Sequence, residues 1–399
     1  MQKECRVKIV FGGDFAPILR FEDIAKNGPG IFGNSTDLLQ SADYSIINLE
    51  APICDAGTRI RKSGPNIRVG GGVSNCLSHA GVKAVSLANN HIYDYGLTGL
   101  EQTIKELERN GIAHFGAGNN RASAEAPLRL PIKGRRFSFF SYAEQEFNLS
   151  ADGQAGAAIL NPLKMAKAIL RERQEADAVI VCVHGGNEFF PYPRPGLRDM
   201  CRFLIDIGVD AVVGHHPHVP GPYEIYLGKP IIYSLGNLIF DTQVERPGWD
   251  KGYLAEINFD FEDTRLEGID VSIHPYSQKV SIGGVEMLSD DARQSLVNEI
   301  EEMRRCLETR PDEWLDHWNA FVAGRKAQSL IDLSSPIRFR GLRRLMNISL
   351  MRNLVTPPTR RLQRLNMLRC PSHHELVVHA MQQPYPQAPA DHPRQTEPD

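Results

Sequence analysis

The sequence predicts an α/β fold, and three observations predict it. Apolar runs of strand length alternate with amphipathic helical segments through residues 1–285. Five of those runs end in residues suited to metal or acid–base chemistry. The chain has 399 residues, 42% hydrophobic and 23% charged, which suits a soluble globular protein with one large α/β domain plus an appendage.

The elements follow in order. VKIVFGGD (7–14), YSIINLE (44–50) and KAVSLANNH (83–91) read as buried strands that feed polar loops. VSNCLSHAG (73–81) reads as a short helix stopped by Gly81, and residues 97–109 as an amphipathic helix. The Gly-rich stretch 68–75 matches no phosphate-loop pattern and reads as a helix-entry loop. LRLPI, KGRR and FSFFSY within 127–142 form a hairpin pattern. Residues 162–176 and 194–208 carry helical periodicity, the second with Pro195 near its start and Gly208 at its end. DAVIVCVHGGNE (177–188) and DAVVGHHPH (210–218) are two more strands running into polar residues, and strand-like segments continue to about Tyr276.

The character changes near residue 285. Residues 286–375 read as a helical, Arg-rich extension, and 376–399 as a Pro-rich disordered tail. From Leu333 to His374 there is no acidic residue and nine arginines contribute +9; the chain total is −3, so the remainder carries −12. That sum gives no nucleic-acid signal. The basic interval 338–369 suits an anionic membrane, a partner protein, or simple cover for the acidic main domain. Seven scattered cysteines without a CxxC pair indicate free thiols in a reducing compartment. No leader pattern opens the chain and no run has transmembrane length, so the expected location is cytoplasmic, with peripheral membrane contact through the basic segment as an alternative.

The chemistry lies where strands end: Asp14, Glu50, Asn90 with His91, His184, and the cluster His215, His216 and His218. In an open α/β sheet the carboxyl ends of parallel strands meet at one crevice. Carboxylate, amide and imidazole without thiolate suit Mn, Zn or Fe in a reactive rather than a structural site. A shared carboxylate between two such groups holds two ions about 3.5–4 Å apart. Gly185 and Gly186 beside His184 suggest close approach of a ligand or metal to the backbone. Among the three histidines the expected ligands are His216 and His218, since alternate residues of an extended segment share a face.

The ordered motifs Gly12–Asp14, Asn48–Glu50, Asn89–Gly96, His184–Glu188, Gly214–His218 and Ser234–Asp241 resemble the capsule-synthesis (CapA-type, poly-γ-glutamate) branch of the calcineurin-like metallophosphoesterases, over about residues 6–280. The resemblance implies an αββα sandwich binding two divalent ions (Mn, Fe or Zn). Asp14, Glu50, Asn90, His184, His216 and His218 would be the ligands, with Glu50 the bridge. It implies that His91 acts beside the leaving group as acid or charge stabiliser. Glu188 joins it as a catalytic candidate, with ligand-partner, substrate-contact and surface-loop readings open. His215 and Asn237 are substrate-binding candidates, and a turn role for Asn237 stands equally open. Two departures stand out: Asp14-Phe15-Ala16 replaces the usual Asp-x-His, and Glu50 stands where an Asp is usual. The function implied is metal-dependent hydrolysis, of a phosphoester, in extracellular polymer synthesis. The alternatives are γ-glutamyl amide hydrolysis on the same metals, or a non-catalytic role in assembly. The substrate would be a polymer or a phosphorylated or γ-glutamyl small molecule.

Overall fold

Side-chain alternation along the first strand already builds two layers: Val10 faces one core, while Val7, Ile9 and Phe11 face another. The computed structural model describes residues 4–333 and 357–382, apart from 152, 243 and 245. In chain order the strands are β1 (Glu4–Ala16), β2 (Tyr44–Leu49), β3 (Ala84–Ser86), β4 (Ala113–Phe115), β5 (Ala117–Gly118), β6 (Leu128–Ile132), β7 (Arg135–Ala143), β8 (Gly156–Ala157), β9 (Ala178–His184), β10 (Ala211–His215), β11 (Tyr223–Tyr226), β12 (Lys229–Ile232), β13 (Asn237–Phe240), β14 (Lys251–Glu262), β15 (Arg265–Lys279) and β16 (Gly284–Met287).

One sheet runs β16-β15-β14-β1-β2-β3-β4, with β13 also paired to β1; the other runs β11-β12-β10-β9-β7-β6. β1 to β4 are mutually parallel, as are β7, β9, β10 and β12. Parallel strands are buried on both faces, which explains their nearly unbroken apolar sequence. Phe11, Ile46 and Ala84 of the first sheet pack against Phe139, Ile180 and Val213 of the second. Outside the first sheet, Val10, Ile47 and Val85 are covered by Phe21, Leu77 and Leu100 from helices. Outside the second, Val179, Val181 and Val212 are covered by Met165, Ile169 and Leu204. Helix, sheet, sheet, helix is the αββα order.

The segment 223–240 shows how one sheet feeds the other. β12 lies beside β10, whereas β13 pairs with β1 in the facing sheet. The chain crosses at Ser234–Gly236, and Asp14 N–H donates to Gly236 O at 3.1 Å. The approach demands glycine in β1: a Cβ on Gly13 would sit 2.0 Å from Gly236 O. The ends of β1, β2, β9 and β10 thereby face one another.

The change of character near 285 corresponds to β16 followed by helix Asp290–Thr309. That helix places Leu296 and Ile300 in the core between the sheets. Cys306, Leu307 and Trp314 join the outer core of the second sheet. Helices also span Pro311–Leu333, Pro358–Arg369 and Pro371–Gln382. The expected tail from residue 376 is thus corrected: Leu376, Val377 and Ala380 are buried, which holds 376–382 in a helix. Of the basic interval 338–369, Arg338, Arg340, Arg343, Arg344 and Arg352 lie outside the described residues. Among the described residues no helix is long and apolar enough to cross a membrane.

Candidate metal centre

Asp14 ends the apolar part of β1 and is fully buried. Asn48 Nδ2 donates to its Oδ1 at 2.8 Å, and His216 N–H to its Oδ2 at 3.2 Å. Glu50 follows β2 and is also fully buried. Among the described residues neither of its carboxylate oxygens has a hydrogen-bond partner. Oε1 instead faces His184 Nε2 at 3.6 Å and His218 Nε2 at 3.7 Å. Asp14, Glu50 and His184 bring one ligand atom each within 4.8 Å of one another, and so do Glu50, His216 and His218. Glu50 belongs to both groups. Asn90 Oδ1 lies 3.2 Å from His184 Nε2, which places all six expected ligands together. A fully buried carboxylate without a donor is costly unless a cation meets it. The residues present therefore fit divalent-cation binding, with Glu50 common to both ligand groups. Ala16, at the position of the missing histidine, is buried in the apolar core and has no part in either group.

The electrostatics agree with that reading. Burial, the neighbouring Asp14 and Glu188 push the Glu50 carboxyl well above the glutamate range, against a smaller pull from Lys62. Burial alone would raise Asp14 too, but the hydrogen bond to His218 and the imidazoles of His215, His218 and His184 hold it well below the aspartate range. Burial and the neighbouring His216 push His184 far below the ordinary histidine value. The neutral His184 and the anionic Asp14 are forms a metal accepts; at His218 burial is outweighed by Asp14 and Glu188, which raise it above the ordinary histidine value, so a cation bound there displaces a proton.

His216 and His218 converge, but not for the reason the sequence suggested. β10 ends at His215, and the next turn has φ of 102° at His216 and 61° at His218. Left-handed backbone at non-glycine residues is strained and recurs at functional sites. Here it turns both rings to Glu50 while the His216 N–H reaches Asp14. The glycines after His184 likewise serve packing: a Cβ on Gly185 would lie 2.7 Å from Glu144 Cγ.

The remaining candidates divide. His91 Nδ1 lies 2.7 Å from Asp94 Oδ2; a carboxylate only accepts, so Nδ1 carries the proton and Nε2 is free. Lys62 Nζ binds Asp94 Oδ1 at 2.7 Å and the Asn90 carbonyl at 2.8 Å. Burial and Lys62 hold His91 below the ordinary histidine value, with Asp94 opposing. Glu188 is exposed at the rim. Its carboxyl is lowered because His218, His216, His91 and His373 together outweigh burial. His215 is not among the ligand groups: its Nε2 donates to Gly12 O at 3.2 Å and joins the two sheets, so a substrate-binding role is not what its contacts serve.

Asn237 is fully buried behind His218. Its Nδ2 donates to His218 O and Trp249 O at 3.2 and 3.1 Å, so its Oδ1 must accept from His218 Nδ1 at 2.9 Å. This amide fixes the His218 tautomer and leaves Nε2 for a cation, in place of the substrate contact expected from sequence. Asn237→Ala is expected to weaken metal affinity by about 10–100-fold with little change in fold, read by competition with a metallochromic chelator.

Asn48, Lys62 and Asp94 were not singled out from sequence. Asp94 lies three residues after His91 within the same motif, which is the signal that marks it. Asn89 and Asn90 differ in what they contact. Asn89 makes the turn, its Oδ1 accepting from His91 N and Ile92 N at 3.1 and 2.9 Å; Asn90 faces the metal groups.

Residues 8–242 match the family model described as bacterial capsule synthesis protein PGA_cap. The capsule biosynthesis protein CapA of Bacillus anthracis is 29% identical over 230 residues, covering 55% of this chain and 55% of that protein. The PGA biosynthesis protein CapA of Bacillus subtilis is 27% identical over 241 residues, covering 57% of this chain and 59% of its own length. The chain thus spans a little over half the length of these two relatives. A probable polyglutamine synthesis accessory protein of Mycobacterium tuberculosis is 28% identical over 295 residues, covering 69% of this chain and 77% of that protein. Among solved structures, the calcineurin-like phosphoesterase YfkN from Bacillus subtilis aligns over 75% of this chain and 99% of its own, at 13% identity and a TM-score of 0.43.

Proposed function

This chain belongs to the bacterial capsule synthesis protein family PGA_cap, and we propose that within it the protein is a metal-dependent hydrolase that cleaves a phosphoester during synthesis of capsule or poly-γ-glutamate. The polymer role is carried over from the names of the Bacillus and Mycobacterium relatives. The observation that carries the hydrolytic reading is the Glu50 carboxylate: fully buried, without a hydrogen-bond donor, and shared by two ligand groups.

Asp14, His184 and Asn90 would hold one ion, His216 and His218 the other, with Glu50 between them. Bound ions of this kind acidify water and neutralise charge on the group under attack. The protein's own residues do the rest. Asn237 and Asn48 orient the ligands. Asp94 and Lys62 lock the His91 ring, whose free Nε2 exchanges a proton with the reacting group. Glu188 stands exposed at the rim, outside both ligand groups.

The test is a product assay on purified full-length protein loaded with Mn or Zn. Bis(p-nitrophenyl) phosphate should release p-nitrophenol, and a chelator should abolish the release. Release of p-nitroaniline from a γ-glutamyl anilide alone would replace this reading with amide hydrolysis. Stoichiometric metal with neither product, across phosphoester and amide panels, would move the weight to a role in assembly.

A further inference from the structure

Helices Pro358–Arg369 and Pro371–Gln382 return to the loop after β7, beside the strand-end crevice. Ser372 donates to Glu144, Arg194 joins Glu144 to Glu375, and Asn187 Nδ2 donates to Ser372 O at 3.3 Å. Leu376, Val377 and Ala380 bury against Phe190, Trp318 and Val322. At this junction Glu146, Cys370 and His373 bring a carboxylate oxygen, a thiol and a ring nitrogen within 4.8 Å of one another. Cys370 is 1% exposed and Glu146 9%. Among the described residues the Glu146 carboxylate has no hydrogen-bond or ion-pair partner; Arg369 passes it and donates to the Glu146 backbone carbonyl. A carboxylate without a protein partner, set against a buried thiol and an imidazole, is a mixed donor set of the kind that holds a cation.

We propose that Glu146, Cys370 and His373 bind a zinc ion, at a site separate from the Glu50 centre, which clips the C-terminal helix pair to the loop beside the crevice. Thiolate, imidazole and carboxylate are a donor set suited to zinc, and two anionic ligands cancel its charge. The Cys370 proton leaves to solvent as the S–Zn bond forms. Bonds of about 2.0–2.3 Å place tetrahedral donors about 3.5 Å apart, so three side chains already within 4.8 Å of one another close in by at most about 1 Å. His373 Nδ1 lies 3.1 Å from the Asn366 amide nitrogen, and Asn366 Oδ1 is buried without a partner. Turning that amide over lets Oδ1 accept from Nδ1–H and leaves Nε2 as the ligand atom. A second group, Cys306, Glu313 and His317, is a weaker candidate: Glu313 and His317 are exposed, and Glu313 already pairs with Arg310 at 2.9 Å.

The test uses full-length protein stripped of metal and loaded with Co(II). A thiolate ligand gives near-ultraviolet charge-transfer absorption, and the Glu50 centre holds no cysteine. The expected band is present in the wild type, in His216→Ala and in Cys306→Ser. It is lost, with one equivalent of metal, in Cys370→Ser and in the less buried His373→Ala, each checked for fold by circular dichroism. No band in the loaded wild type, or a band that survives in either Cys370→Ser or His373→Ala, overturns the proposal. Because His216→Ala removes a ligand of the Glu50 centre alone, failure of the hydrolase reading leaves this result untouched.

Discussion

Glu50→Gln is expected to lose both ions and yet give a metal-free protein more stable than the wild type above neutral pH. The gain should be about 1–2 kcal/mol, the scale of one buried polar group relieved of an unmet charge. Glu50 is fully buried, lacks any donor and belongs to both ligand groups, so one substitution removes the shared ligand and the desolvated charge together. The sign follows from linkage. Its carboxyl is raised in the folded metal-free protein, so the unfolded chain gives up this proton first as pH rises. Stability is therefore highest below the ordinary glutamate range and falls as pH climbs through that range toward the folded value. Glutamine should flatten that fall. Urea unfolding of both proteins in chelator across this pH range, with elemental analysis of the metal-loaded forms, reads both effects. A less stable variant at every pH would mean that Glu50 is satisfied by something other than metal.

The second large effect concerns His91. His91→Gln should lower kcat on the phosphodiester by about 10²–10³-fold while both ions stay bound, since Nε2 is the proton-exchanging atom and none of the ligand groups includes His91. Lys62 contributes to the depressed His91 value, so Lys62→Met should raise it and, with His91 as the acid beside the leaving group, move the alkaline limb of the pH–rate profile to higher pH. An alkaline limb that stays in place would remove His91 from the proton path. Unchanged turnover in His91→Gln would leave the ring a structural role within the Asp94–Lys62 network.

Much of the site was legible because parallel strands are buried on both faces. Their apolar runs stop abruptly, so Asp14, Glu50 and His184 stand out as the ionisable residues that close them. Residues behind the ligands carry no such mark. Asn48 sits within an apolar strand and Lys62 within a polar loop, and neither spacing shows that both point at the centre. The choice of His216 and His218 rested on an extended segment, whereas left-handed turns at those two residues bring the rings round. Positive φ at a histidine leaves no trace in composition or periodicity.

The sequence by itself determined the class of fold, the strand ends that carry chemistry and the donor types gathered there, because burial and pleat periodicity are local properties of the chain. Tertiary structure alone decided that Glu50 is shared between two ligand groups, that Asn237 and His215 serve the framework, and that the C-terminal helices return to Glu144 and Glu146. Those facts depend on two sheets meeting face to face and on contacts between residues far apart along the chain. No local pattern encodes such a meeting; it is set by which apolar faces bury one another.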